Sequence, residues 1–212
     1  MAYTPLTQVA PQESTGGADV LPAGAYVCVV TDARLVKSKA GKVNLKLDWD
    51  VAEGEHAGHF GAAQYGHSQW LGVEDSAAGY TRHKLDRISL SNSNPPVTFD
   101  AAALVDRYVA QYFAGGCIGE MPVTELVGRY VGLVVGTVDE MWQGEVQHRN
   151  DVAQWVTVAE VRAGRYTDQM GKIRDIKIPR HRDKTQGGGA HTQIPPQAAP
   201  QQAGMADSNI PF

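Results

Sequence analysis

Two alternating runs joined by a six-residue turn constrain this chain more than any other stretch. Val43, Leu45, Leu47, Trp49 and Val51 alternate with Asn44, Lys46, Asp48 and Asp50. This is the period of a strand with one buried and one wet face. In the run before it, Val27, Val29, Thr31, Ala33 and Leu35 share a face. The connection Lys37, Ser38, Lys39, Ala40, Gly41, Lys42 holds three cations and no acid, and Gly41 can take the positive φ that a tight turn often needs. The pattern predicts an antiparallel hairpin with a basic tip, and nothing in either strand resembles catalytic machinery.

The rest of the chain is read around that hairpin. Residues 1–20 mix Pro, Gln, Ser, Thr and Gly without period and are expected to be a flexible N-terminal arm. AGHFGAAQYGHSQWL at 57–71 reads as a third strand interrupted by glycines. YTRHKLDRISLS suits a short helix that SNSNPP ends. Asp100 is placed to cap AAALVDRYVAQYFA, with Gly115 and Gly116 as the stop. GRYVGLVVGTVDE (128–140) and DVAQWVTVAEVRA (151–163) read as a fourth and a fifth strand joined through MWQGEVQHRN. Tyr130, Gly132, Val134 and Gly136 share a face, where the glycines are read as permitting curvature. The expected fold is mainly β with one or two helices, a five-stranded OB barrel over residues 21–165.

Beyond it lie a basic extension (166–184), with a short strand at Lys172–Ile178, then a disordered Gly/Pro/Gln linker (185–204) and a C-terminal tip (205–212). An apolar tip with a free carboxylate on such a tether suits docking to a partner. The chain of 212 residues is 42% apolar, enough for one core with tails. It carries no run of eighteen apolar residues and opens on MAYTPLTQVAPQE, without a basic and apolar leader. No membrane association is expected, and a cytoplasmic location is, the host's cytoplasm if the chain is phage-encoded. Cys28 and Cys117 are too few for a disulfide framework, and Cys28 is expected to be a packed, quiet thiol.

The net charge of −4 hides a segregation: between Arg162 and Lys184 bases exceed acids by five, leaving −9 elsewhere. Local basic tracks govern attraction to a phosphate backbone more than net charge does.

LPAGAY, the turn KSKAGK, the strand end VAEGEHAGHF and the later ELVGRYVGLVV resemble phage and mobile-element single-stranded DNA-binding proteins of OB fold, over roughly residues 21–180. The final DSNIPF resembles the terminal peptide of bacterial single-stranded DNA-binding proteins, in which acids precede Ile-Pro-Phe and the last Phe docks into replication and repair enzymes. Bacterial tips carry several consecutive aspartates, whereas Asp207 stands alone near this end. The resemblance implies a protein that coats single-stranded DNA in replication or recombination, can form homo-oligomers, and recruits partners through Asp207, Ile210, Pro211 and Phe212.

A sequence-tolerant binder of single strands needs cations that track phosphates and rings on which bases stack. In an OB barrel these sit on strands 2 and 3 and on two hairpin loops. The candidates are Lys37, Lys39 and Lys42 on the first loop, Lys46 on the second strand, Phe60, Tyr65 and Trp70 along the third, and Trp142, His148 and Arg149 on the second loop. Trp49 shares phase with Val43 to Val51 and belongs to the core, while Trp155 fits either face of its strand. His56, His59 and His67 suggest a metal, but no cysteine or dense carboxylate cluster stands near them. No phosphate-cradling loop, nucleophile elbow or catalytic carboxylate pair occurs, so neither an enzyme nor a cofactor is expected. The alternative is an OB-fold protein-interaction adaptor with little DNA affinity.

Overall fold

The computed structural model describes residues 20–61, 67–74, 77–94, 98–115, 119–142 and 144–185. The elements are β1 (Gly24–Lys37), β2 (Val43–Val51), β3 (His67–Gly72), α1 (Ala78–Asn92), α2 (Ala101–Ala114), β4 (Glu120–Pro122), β5 (Tyr130–Trp142), β6 (Glu145–Val156), α3 (Val158–Ala163), β7 (Arg165–Thr167), β8 (Ile173–Asp175) and β9 (Arg182–Asp183). The main sheet has the order β3-β2-β1-β5-β6, antiparallel throughout, with β4 beside β1 and β9 running parallel to β5. The sheet does not close. β3 and β6 are its two ends, so the expected barrel is an open sheet among the described residues, and there are three helices where one or two were expected.

The basic hairpin forms as its alternation predicts. Lys37 pairs with Val43, and Gly41 turns the chain at φ +83°. Val43, Leu45, Leu47, Trp49 and Val51 are all buried. In β1 the alternation breaks between Val30 and Asp32, where a bulge shifts the register. Cys28 and Val30 point inward before it, Ala33 and Leu35 after it, and the single face predicted from Val27 to Leu35 is split. An extra residue bends a strand and sharpens its twist, which lets β1 serve β5 with one half and β2 with the other. Burial pushes the Cys28 thiol up, so it is unreactive.

Three boundaries move. The third strand is confined to His67–Gly72, because residues 53–61 form turns. The second hairpin is longer than expected: MWQGEVQHRN is mostly strand, with Trp142 paired to Glu145. Residues 158–163, expected to continue a strand, form α3 instead. Thr157 accepts from the Glu160 N–H at 3.2 Å, and the Glu160 carboxylate accepts from the Thr157 N–H at 2.7 Å, a reciprocal cap that overrides the β-branched pattern. Asp100 caps α2 as predicted, Oδ1 accepting from Ala103 N–H at 2.9 Å.

α1 lies against β3, β5 and β6 and joins the core through Leu85 and Ile88, while α2 adds Leu104, Val105 and Tyr112. Trp155 is buried, with the Lys84 ammonium 5.6 Å from its ring centre. Gly132 and Gly136 serve close approach more than curvature. A Cβ on Gly132 would lie 2.5 Å from Val161 Cγ2 in α3, and one on Gly136 would lie 2.8 Å from Pro179 Cγ. The segment read as a basic extension is thus folded against the outer face of β5.

One buried carboxylate fastens the turns after β2. Asp50 Oδ1 accepts from Val51 N–H at 2.7 Å and Phe60 N–H at 3.0 Å, and Oδ2 accepts from Gly61 N–H at 3.0 Å. The alternation had placed Asp50 on the wet face, but it is 8% exposed. No helix among the described residues is long and apolar enough to cross a membrane.

Candidate nucleic-acid interface

The strand register sets out the outer face of the sheet. Arg34 on β1 is opposite Lys46 on β2, which is opposite Trp70 on β3, and directly opposed residues share a face. One row therefore carries two cations and an indole that is 56% exposed. Lys37, Lys39 and Lys42 are exposed on the turn that continues β1 and β2 beyond this row. None of these three is in an ion pair among the described residues.

Acids flank the row. Asp32 is opposite Asp48 in the next row, and Glu120 reaches in from β4. Arg34 is ion-paired to both Asp32 and Glu120, the latter at 2.5 Å, and these bonds raise its pKa. Lys46 lies 3.1 Å from Asp48, whose other oxygen accepts from the Ser68 hydroxyl. Free positive charge is thus concentrated on the turn, and the sheet centre is close to neutral. Sequence reading passed over Arg34. Its place in the polar phase of β1, between Asp32 and Val36, was the available signal.

One of the expected stacking rings lies elsewhere. Phe60 is 3% exposed and meets Trp49 edge-on at 5.2 Å and His67 at 3.8 Å, so it is a core residue and no base can stack on it. The Asp50 clamp on its N–H turns it inward. Tyr65 lies outside the described residues. His56, His59, Phe60 and His67 form a chain of ring contacts.

The second hairpin carries Trp142, 59% exposed, flanked by the exposed Met141 and Val146. Arg149 is held at 2.9 Å by Glu140, whose other oxygen accepts from Lys184 Nζ at 3.0 Å. These bonds hold the Glu140 carboxyl below its usual range, Lys184 contributing most. Asp139 takes His148 at 2.6 Å on one oxygen and His181 at 3.0 Å on the other, and both bonds lower its pKa. In this way β9 and the hairpin share a layer of ion pairs. Within 162–184, Arg162, Arg165, Arg174, Arg182 and Lys184 are all paired with acids, while Lys172, Lys177 and Arg180 are exposed.

The two hairpins leave opposite ends of β1. Lys37 meets β2 at one end, Gly24 meets Val135 at the other, and β5 runs on to Trp142. The register thus unites Lys46 and Trp70 with the lysine turn, and it sets Trp142 and Arg149 apart from them. Burial lowers the His67 pKa to about 4, and the charges of His59 and of Arg149 on β6 add to that.

A histidine held neutral in this way destabilises the fold in acid. Unfolded, it titrates near 6.5, so the native state binds fewer protons between that pH and about 4. Stability contributed by neutral His67 is full above pH 6.5 and falls by about 3 kcal/mol toward pH 4. In urea titrations His67→Phe should show a shallower loss across this window than the parent. Equal slopes would show that His67 does not cause the loss.

The chain matches no protein-family model and no curated protein.

Proposed function

We propose that the protein binds single-stranded DNA along the outer face of β1, β2 and β3, coats it during replication or recombination, and recruits partner proteins through its C-terminal tip. The observation that carries this reading is the exposed Trp70 in one row with Lys46, continued by the three unpaired lysines of the turn. An indole offers a flat surface to any base, and the lysines offer charge to the phosphates that follow. The order β3-β2-β1-β5-β6, with two helices inserted before β5, is what a five-stranded OB barrel becomes when the seam between its third and fifth strands stays unpaired.

Titration of oligo-dT against intrinsic tryptophan fluorescence tests the reading. Quenching is expected, with affinity falling as salt rises by about 0.7 log units per log unit for each phosphate neutralised. Trp70→Ala should weaken binding by about tenfold, the loss of one stacked base. No binding at low salt would end the proposal.

The tip residues Asp207, Ile210, Pro211 and Phe212 lie outside the described residues, and their part rests on the likeness of DSNIPF. Deleting Ile210–Phe212 should abolish capture of replication or repair proteins and leave oligo-dT affinity equal or slightly higher. Undiminished capture would remove the tip from the proposal. A second reading, an adaptor with little DNA affinity, is favoured by Asp32, Asp48 and Glu120, which occupy the cations of the sheet centre.

A further inference from the structure

Among the described residues β6 is a bare edge: its ladder runs to β5, and no backbone hydrogen bond reaches its other side. A strand left open in this way is a template for another strand unless charge, proline or a bulge spoils it. The bulge in the β5–β6 ladder lies at Val134/Val135, toward the far end of β6. The part from Glu145 to Arg149 is regular, exposed and free of proline.

Its sequence complements itself. A two-fold axis perpendicular to the sheet keeps each side chain on its own face, so an antiparallel self-pairing must centre on a residue. Centred on Gln147, it sets Glu145 opposite Arg149 of a second copy and Arg149 opposite that copy's Glu145, with Val146 and His148 also opposed. Centred on His148, it sets Glu145 against Asp151, and like charges directly opposite are unfavourable. Centred on Val146, it carries Arg149 past the end of the strand into the turn.

We infer that two copies of this chain associate through β6, antiparallel, with Gln147 on the two-fold axis and two Glu145–Arg149 pairs across it. The monomer is prepared for the exchange. Glu145 has no ion pair among the described residues. When Arg149 turns from Glu140 to the second copy, Glu140 keeps Lys184 at 3.0 Å. Trp142 is opposite Glu145 within the hairpin, so its exposed ring would lie in the same row as the incoming guanidinium. This dimer does not depend on the nucleic-acid reading, and it is tested without DNA.

Sedimentation velocity of the full chain over a concentration series should show a reversible monomer–dimer equilibrium. Glu145→Arg and Arg149→Glu should each weaken it by about tenfold or more, since each turns two attractive pairs repulsive. The double exchange should restore it, with circular dichroism confirming that all three variants fold. Gln147→Cys gives a second measurement, because residues opposed at the axis are close enough to crosslink under mild oxidation. A chain monomeric at every concentration would overturn the inference. So would association indifferent to Glu145→Arg, a double exchange no stronger than the single ones, or no crosslinking by Gln147→Cys beyond that of the parent.

Discussion

Replacing Lys37, Lys39 and Lys42 together by alanine is expected to lower oligo-dT affinity by about a hundredfold at roughly 0.1 M salt. Each lysine that neutralises a phosphate contributes about 0.7 to the slope of log affinity against log salt. Three of them contribute about 2, so the parent and variant curves should converge as salt approaches about 1 M. The effect is placed on the turn because its lysines are exposed and unpaired, whereas Arg34 and Lys46 already face carboxylates. Replacing Lys46 should cost less, since its charge is already compensated by Asp48 at 3.1 Å. Fluorescence titration at four or more salt concentrations reads both slope and intercept. A triple variant with an unchanged curve would shift the balance to the adaptor reading.

The second large effect concerns stability. Asp50→Ala should cost about 3 kcal/mol, because three N–H groups at Val51, Phe60 and Gly61 lose their acceptor in a buried place. For a chain of this size that corresponds to a fall in Tm of about 10 °C by calorimetry. Asp50→Asn keeps one acceptor oxygen and should lose less. The Phe60 ring, packed on Trp49 and His67, depends on the same clamp. Enhanced accessibility of Trp49 to a fluorescence quencher should therefore accompany the loss. An Asp50→Ala variant as stable as the parent would show that water satisfies these groups.

Much of the fold was legible in local chemistry. Strict alternation in β2, the Gly41 turn and the Asp100 cap each rest on neighbours a few residues apart, and each appears where expected. What was hidden depends on distant groups. Phe60 stands between Gly58 and Gly61 and looked like an exposed strand residue, yet a carboxylate ten positions earlier pulls its backbone inward. The split face of β1 comes from one extra residue, which no period-two count registers. Val158 to Ala163 have a strand-like composition, but the Thr157–Glu160 cap decides for helix. The pairing of Arg162, Arg182 and Lys184 could not be read either, since their acids, Glu53, Asp151 and Glu140, come from other parts of the chain. Among the site candidates, Lys46 and Trp70 did come together, because pairing of β2 with β3 follows from their shared phase.

The length of β1 has a consequence for the size of the footprint. Its fourteen residues separate the lysine turn from the end at which the second hairpin departs, about 45 Å if fully extended and less with the bend. A ligand short enough to sit over Trp70 cannot span that ruler. Touching both extremities takes on the order of ten nucleotides, so occupancy would rise in a step as oligomers pass that size.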